Sequence, residues 1–109
     1  MGMLNYLITC YEDPKTHKKH KLMLQFKRGH CDLDDYRIGD KLKWSGRDRG
    51  VPGKRKVVVE AWNEESFHDK NAIVQWIVFI EDDVIVSVEP DTGQYVFSNP
   101  NDYGIVLEE

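Results

Sequence analysis

The chain is 109 residues long, 40% apolar and 31% charged, and carries a net charge of −4 with a pI near 5.5. That length bounds a single domain, and the apolar fraction can build a modest core without staples, which excludes a disordered chain. The longest apolar run, residues 76–80, is too short to span a bilayer and no Arg-rich or apolar leader opens the sequence, so the expected address is the cytoplasm, with no membrane partner.

Apolar residues alternate at Leu4, Tyr6 and Ile8 and again at Leu22, Leu24 and Phe26, the period of half-buried strands. Between them residues 13–21, with Pro14, four lysines and two histidines, read as a loop or long hairpin tip. Ile38, Leu42 and Trp44 fall on an even spacing interrupted by Gly39-Asp40, which predicts a third strand from near Asp40. Residues 47–56 contain Pro52-Gly53, the order a type II turn prefers, and form a basic loop. Residues 57–62 are β-branched and strand-like, and residues 73–80 are apolar on both faces apart from Gln75, as in a central strand.

Glu81-Asp82-Asp83 then separates that strand from residues 84–88, a spacing that predicts a tight antiparallel hairpin with an acidic tip. Pro90-Asp91-Thr92-Gly93 is the next turn, residues 95–97 and 105–107 read as short edge strands, and residues 63–71 have room for one short helix. The predicted fold class is mainly β: a predominantly antiparallel sheet of six or seven strands, arranged as a small sandwich or a curled half-barrel, in one domain covering residues 1–109.

Charge is divided between the halves. Residues 1–56 hold fourteen of the fifteen Lys and Arg against seven acids, giving +7, while residues 57–109 hold only Lys70 against twelve acids, giving −11. Such a dipole bears on steering and on the sign of a partner more than on fold.

Cys10, His17, His20 and Cys31 are residue types that suit zinc, because thiolate and imidazole are its preferred ligands and four complete a tetrahedral site. Their spacing does not: a ribbon uses Cys-x-x-Cys knuckles, whereas Cys10-Tyr11-Glu12-Asp13 offers one thiol and Cys31 has no companion. Histidines flanked by lysines are ordinarily solvated, and two thiols without a secretory signal are expected to stay reduced. No metal and no cofactor is assigned, with a small zinc-stabilised domain as an alternative.

Residues 7–44, through Cys10, Leu24-Gln25-Phe26-Lys27, Cys31-Asp32-Leu33-Asp34-Asp35-Tyr36 and Arg37-Ile38-Gly39-Asp40, resemble small bacterial proteins in which a zinc knuckle is fused to a β-sheet. Such proteins would carry Cys-x-x-Cys near position 10 and again near residues 62–69, and this chain departs from both. The resemblance therefore implies a metal-free relative of that scaffold, and it carries over no functional residue.

No Gly-x-Ser-x-Gly, phosphate-cradling glycine loop or His-Glu-x-x-His is present, and no local signature pairs His20, His30 or His68 with a cysteine nucleophile, so no enzyme activity is expected. Lys15, Lys18, Lys19 and Lys21, with Arg47, Arg49, Lys54, Arg55 and Lys56, form two basic loops near Tyr11 and Trp44, the phosphate-plus-stacking composition of nucleic-acid binders. The acidic pI and the ordinary use of lysines to protect strand edges weigh against that reading. Glu64, Glu65, Asp69, Glu81, Asp82, Asp83 and Asp91, with Trp62 and Phe67 as aromatic anchors, make up an acidic recognition surface. The functional expectation is a protein-binding module, an inhibitor or immunity-type protein of bacterial style whose acidic face covers a basic toxin or nuclease. It would act as a monomer or homodimer, with nucleic-acid or adaptor binding as the alternative.

Overall fold

The computed structural model describes residues 4–31, 33–44, 48–49, 53, 56–63, 75–95 and 104–107. These contain strands β1 (Asn5–Glu12), β2 (Lys19–Phe26), β3 (Gly29–His30), β4 (Asp35–Tyr36), β5 (Asp48–Arg49), β6 (Lys56–Asn63), β7 (Gln75–Glu81), β8 (Val84–Pro90) and β9 (Ile105–Leu107). Seven of them form one sheet in the order β4-β1-β2-β6-β7-β8, with β9 beside β6, and β3 pairs with β5 apart from it. Every pairing is antiparallel except that of β1 with β4, so the sheet is mixed, and it does not close into a barrel. The mainly β fold predicted from the sequence is present. Among the described residues no helix is long and apolar enough to cross a membrane.

Strand β6 occupies the middle because both of its edges are used. One edge runs along β7 from Lys56 to Trp62, while the other is shared, with residues 61–63 pairing to β2 and residues 56–58 to β9. Its residues alternate accordingly: Val57, Val59 and Ala61 enter the main core with Leu7, Leu22, Leu24, Phe26, Trp76, Val78, Ile80, Ile85 and Val88. Val58 and Ile77 are fully buried on the opposite face, the two-sided burial that the apolar run around β7 predicts.

The inner face is strongly curved. β1 and β7 are separated by β2 and β6, which in a flat sheet would put them about 14 Å apart, yet the rings of Tyr11 on β1 and Trp76 on β7 meet edge to face at 5.0 Å. Phe26 and Tyr36 pack on the same side, with centroids 5.9 Å apart. The segment after β4 crosses to the far edge of the sheet, where Gly39 N–H donates to Ile85 O, Ile85 N–H to Asp40 O and Leu42 N–H to Asp83 O. The sheet is thus a half-barrel whose open side is strapped by residues 37–42.

Three expectations change in detail. No strand forms from Asp40 to Trp44: Lys41 makes one isolated bridge to Val84, and Leu42 and Trp44 owe their even spacing to packing on the core. The loop after β1 is shorter than residues 13–21, since Lys19, His20 and Lys21 pair with Glu12, Tyr11 and Cys10. In β1 the core-facing set is Asn5 and Leu7, with Tyr6 and Ile8 on the other side, because Leu7 aligns with buried Leu24. The acidic hairpin forms as expected, Asp82 and Asp83 both at positive φ (53° and 64°), as a two-residue primed turn demands. Beside it a bulge at Phe79/Ile80 makes Val86 an extra residue, which lets both Ile85 and Val88 face inward. The expected helix over residues 63–71 and the edge strand from Tyr95 fall largely outside the described residues.

Gly104, at φ +130°, precedes β9, and a Cβ there would lie 2.7 Å from Val57 Cγ1 and 3.0 Å from the Arg28 guanidinium. Gly104→Ala should therefore cost about 2 kcal/mol or more in urea unfolding, through strain and overpacking together. Gly93→Ala, equally at positive φ but with nothing within 4 Å, should cost about 1 kcal/mol from backbone strain alone.

Candidate functional site

The even-numbered residues of β6, Val58, Glu60 and Trp62, share the outer face, and strand register sets their neighbours. Trp62 lies between Gln25 on β2 and Gln75 on β7, and Tyr6 on β1 extends the same row. Glu60 and Glu89 flank Ile77 in the adjoining row. Asp91 follows β8 at the same end, its N–H donating to Gln75 O and its carboxylate accepting from Gly93 N–H. This end of the outer face therefore presents an indole that is 39% exposed, two glutamines and three acids.

Glu60 is half-buried, and none of the described hydrogen bonds or ion pairs engages it. Its carboxyl is pushed up from the ordinary value, first by burial and then by the negative charge of Asp91. Asp13, in the basic loop, shows the opposite behaviour, lowered chiefly by the N–H of Lys15 that its exposed carboxylate accepts.

The predicted acidic surface does not assemble as one patch. Trp62 and Asp91 lie at one end of β7, whereas Glu81, Asp82 and Asp83 lie at the other, about 20 Å along the strand. The tip is also partly neutralised. Lys56 stands opposite Glu81, a favourable cross-strand pair, and burial pushes the Arg28 guanidinium down while the charge of Asp83 partly opposes that. Glu64, Glu65, Phe67 and Asp69 lie outside the described residues. Glu60 and Glu89, absent from the sequence-based set, join Trp62 and Asp91 instead. Glu60 was visible in the period-2 pattern of Val58 and Trp62; Glu89 was hidden because the bulge at Val86 shifts the phase of β8.

The basic residues divide likewise. Lys18 and Lys19 belong to the β1–β2 tip, beyond the Asn63 end of β6, while Lys56 begins β6, about 23 Å away along that strand. Arg49 pairs through its backbone with Gly29, and Arg47, Lys54 and Arg55 lie outside the described residues. Neither aromatic partner is available as a flat stacking platform: Tyr11 packs on Trp76, and Trp44 covers the Arg28 guanidinium at 5.7 Å.

Cys10 is exposed on β1, whereas Cys31 is buried where the Asn5 amide approaches its sulfur at 3.7 Å. Asn5 and Cys10 are five residues apart on one strand, about 17 Å, so the two thiols can neither pair in a disulfide nor share a metal ion. Among the described residues no cluster of three or more His, Cys, Asp or Glu is arranged to hold a metal. No family model, no curated protein and no solved structure matches the chain, and its own residues carry the functional reading.

Two outcomes follow from this geometry. A thiol reagent should modify Cys10 in the native protein and Cys31 only on unfolding; simultaneous native labelling of both would contradict the buried position of Cys31. Because the folded state holds the Glu60 proton to higher pH than the unfolded chain does, its contribution to stability falls as pH rises through the carboxylate range. Glu60→Gln should consequently shift the urea midpoint upward at pH 7, and the difference should shrink toward zero near about pH 3, where the unfolded carboxyl is also protonated.

Proposed function

We propose that this chain is a non-enzymatic protein-binding module, an inhibitor or immunity-type protein that occupies a basic cleft on its partner, such as that of a toxin or nuclease. The observation that carries the reading is the outer-face end of β6 and β7, where exposed Trp62 stands among Glu60, Glu89 and Asp91. An aromatic side chain set on a rigid sheet loses little entropy on contact, which is why Trp is over-represented among residues that dominate binding energy. The surrounding acids add long-range attraction for a basic partner and reject an acidic one. The hairpin tip at Asp82 and Asp83 is secondary here, since basic residues already lie against it.

Nucleic-acid binding is the second reading, and the feature that favours it is the β1–β2 tip, where Lys15, Lys18, Lys19 and Lys21 are all exposed.

Native mass spectrometry of untagged protein taken from its own host distinguishes the readings. The proposal expects a one-to-one complex with a basic protein that weakens as ionic strength rises and falls at least tenfold in affinity with Trp62→Ala, about 1.4 kcal/mol. Bound nucleic acid lost on Lys18→Glu with Lys19→Glu, or a protein complex indifferent to Trp62→Ala, would overturn it.

A further inference from the structure

The outer-face end of the sheet has a finer chemical character than negative charge. Residues two apart on a strand stand on one face about 7 Å apart, so Glu60 and Trp62 present a carboxylate and an indole in line, with Gln25 and Gln75 on either side of the indole. The carboxylate has no described partner within the chain, and the indole, unlike buried Trp76 one strand away, remains open. No described ion pair joins a cation to Glu60, and the nearest described lysines, on the β1–β2 tip, lie beyond the Asn63 end of β6. Lys56 is at the far end of β6, and Arg28 is buried beneath Trp44.

We propose that this row receives an arginine side chain of the basic partner, the guanidinium lying on the Trp62 indole and forking onto the Glu60 carboxylate. The inference rests on the protein-binding reading above and adds the identity of the anchoring side chain. Arginine fits better than lysine for two physical reasons. Its planar, weakly hydrated cation stacks on an indole face, and its fork of N–H donors matches both oxygens of one carboxylate. A lysine ammonium is a strongly hydrated point charge that would satisfy the acids only as a field. Gln25 and Gln75 can accept or donate to the partner's backbone beside the anchor, and Asp91 strengthens the attraction without needing direct contact. A cation at the carboxylate would oppose the burial and the Asp91 charge that push the Glu60 carboxyl up.

The test uses the intact protein with hexa-arginine and hexalysine peptides at low ionic strength, read by the Trp62 indole N–H resonance, which Trp62→Phe identifies by its loss. Hexa-arginine should shift that resonance and bind about tenfold more tightly than hexalysine. Glu60→Gln, expected to raise stability at neutral pH, should reduce hexa-arginine to the affinity of hexalysine. Equal binding of the two peptides, or a preference untouched by Glu60→Gln, would overturn the arginine anchor and leave the basic-partner reading standing. Failure of both peptides to bind even at low salt would overturn both.

Discussion

Tyr11 reaches Trp76 only because the seven-stranded sheet turns its inner face upon itself, and that curl is the constraint on which the other features depend. A flat sheet of these strands would keep Tyr11 and Leu22, which lies past the last β2–β6 pair, out of reach of β7. Curled, the sheet gathers residues from β1, β2, β4, β6, β7 and β8 into one cluster, and the ring contacts add specific geometry to the area they bury. The strap at residues 37–42 secures the open side with separate backbone hydrogen bonds, enough to satisfy the beginning of β8 without extending the ladder. Arg28 is packed in the same corner: Trp44 covers it, Asp83 supplies an opposing charge, and Gly104 leaves it room.

Curvature also settles which residues can act together on the outside. The inner face is committed to the core and Val58 and Ile77 are buried on the other, so recognition falls to the exposed end of the outer face around Trp62 and to the ends of the sheet. Chain order and spatial order then part company. Glu81 and Asp91 are near in sequence but lie at opposite ends of β7 and β8, whereas Glu60, Trp62, Glu89 and Asp91 converge from two separate stretches. The charge dipole of the sequence is accordingly tempered in space. Basic residues stand beside the acidic hairpin tip, and the acids around Trp62 share their end of the molecule with the lysines of the β1–β2 tip. A surface on which opposite charges alternate at this scale selects partners by local complementarity more than by net charge.

Much of the fold was legible in the residues, and the failures have physical causes. Alternation in β2 and the Val-rich run of β6 identified their strands, and an acidic dipeptide between apolar runs marked the primed turn at Asp82 and Asp83. Periodicity is ambiguous where both faces carry apolar residues: the Leu4, Tyr6, Ile8 alternation marks the face of β1 that its alignment of Leu7 with Leu24 turns away from the core. Leu42 and Trp44 imitated a strand because core packing at alternate positions needs no ladder. The site was only half legible: Trp62 and Asp91 stood out by type and Glu60 shares the period-2 pattern of Trp62, but the bulge at Val86 concealed Glu89. Register, which brings residues 60, 62, 75, 89 and 91 to one place, is a long-range property that no local window contains.

Hydrogen exchange of the protein free and in complex with its basic partner tests the central claim most directly, because it locates the contact without altering a residue. Protection gained at residues 59–63 and 75–77, with residues 81–84 unchanged, is the result expected if the outer-face end around Trp62 is the binding surface. Protection confined to the hairpin tip, with the Trp62 end exchanging as in the free protein, would contradict it.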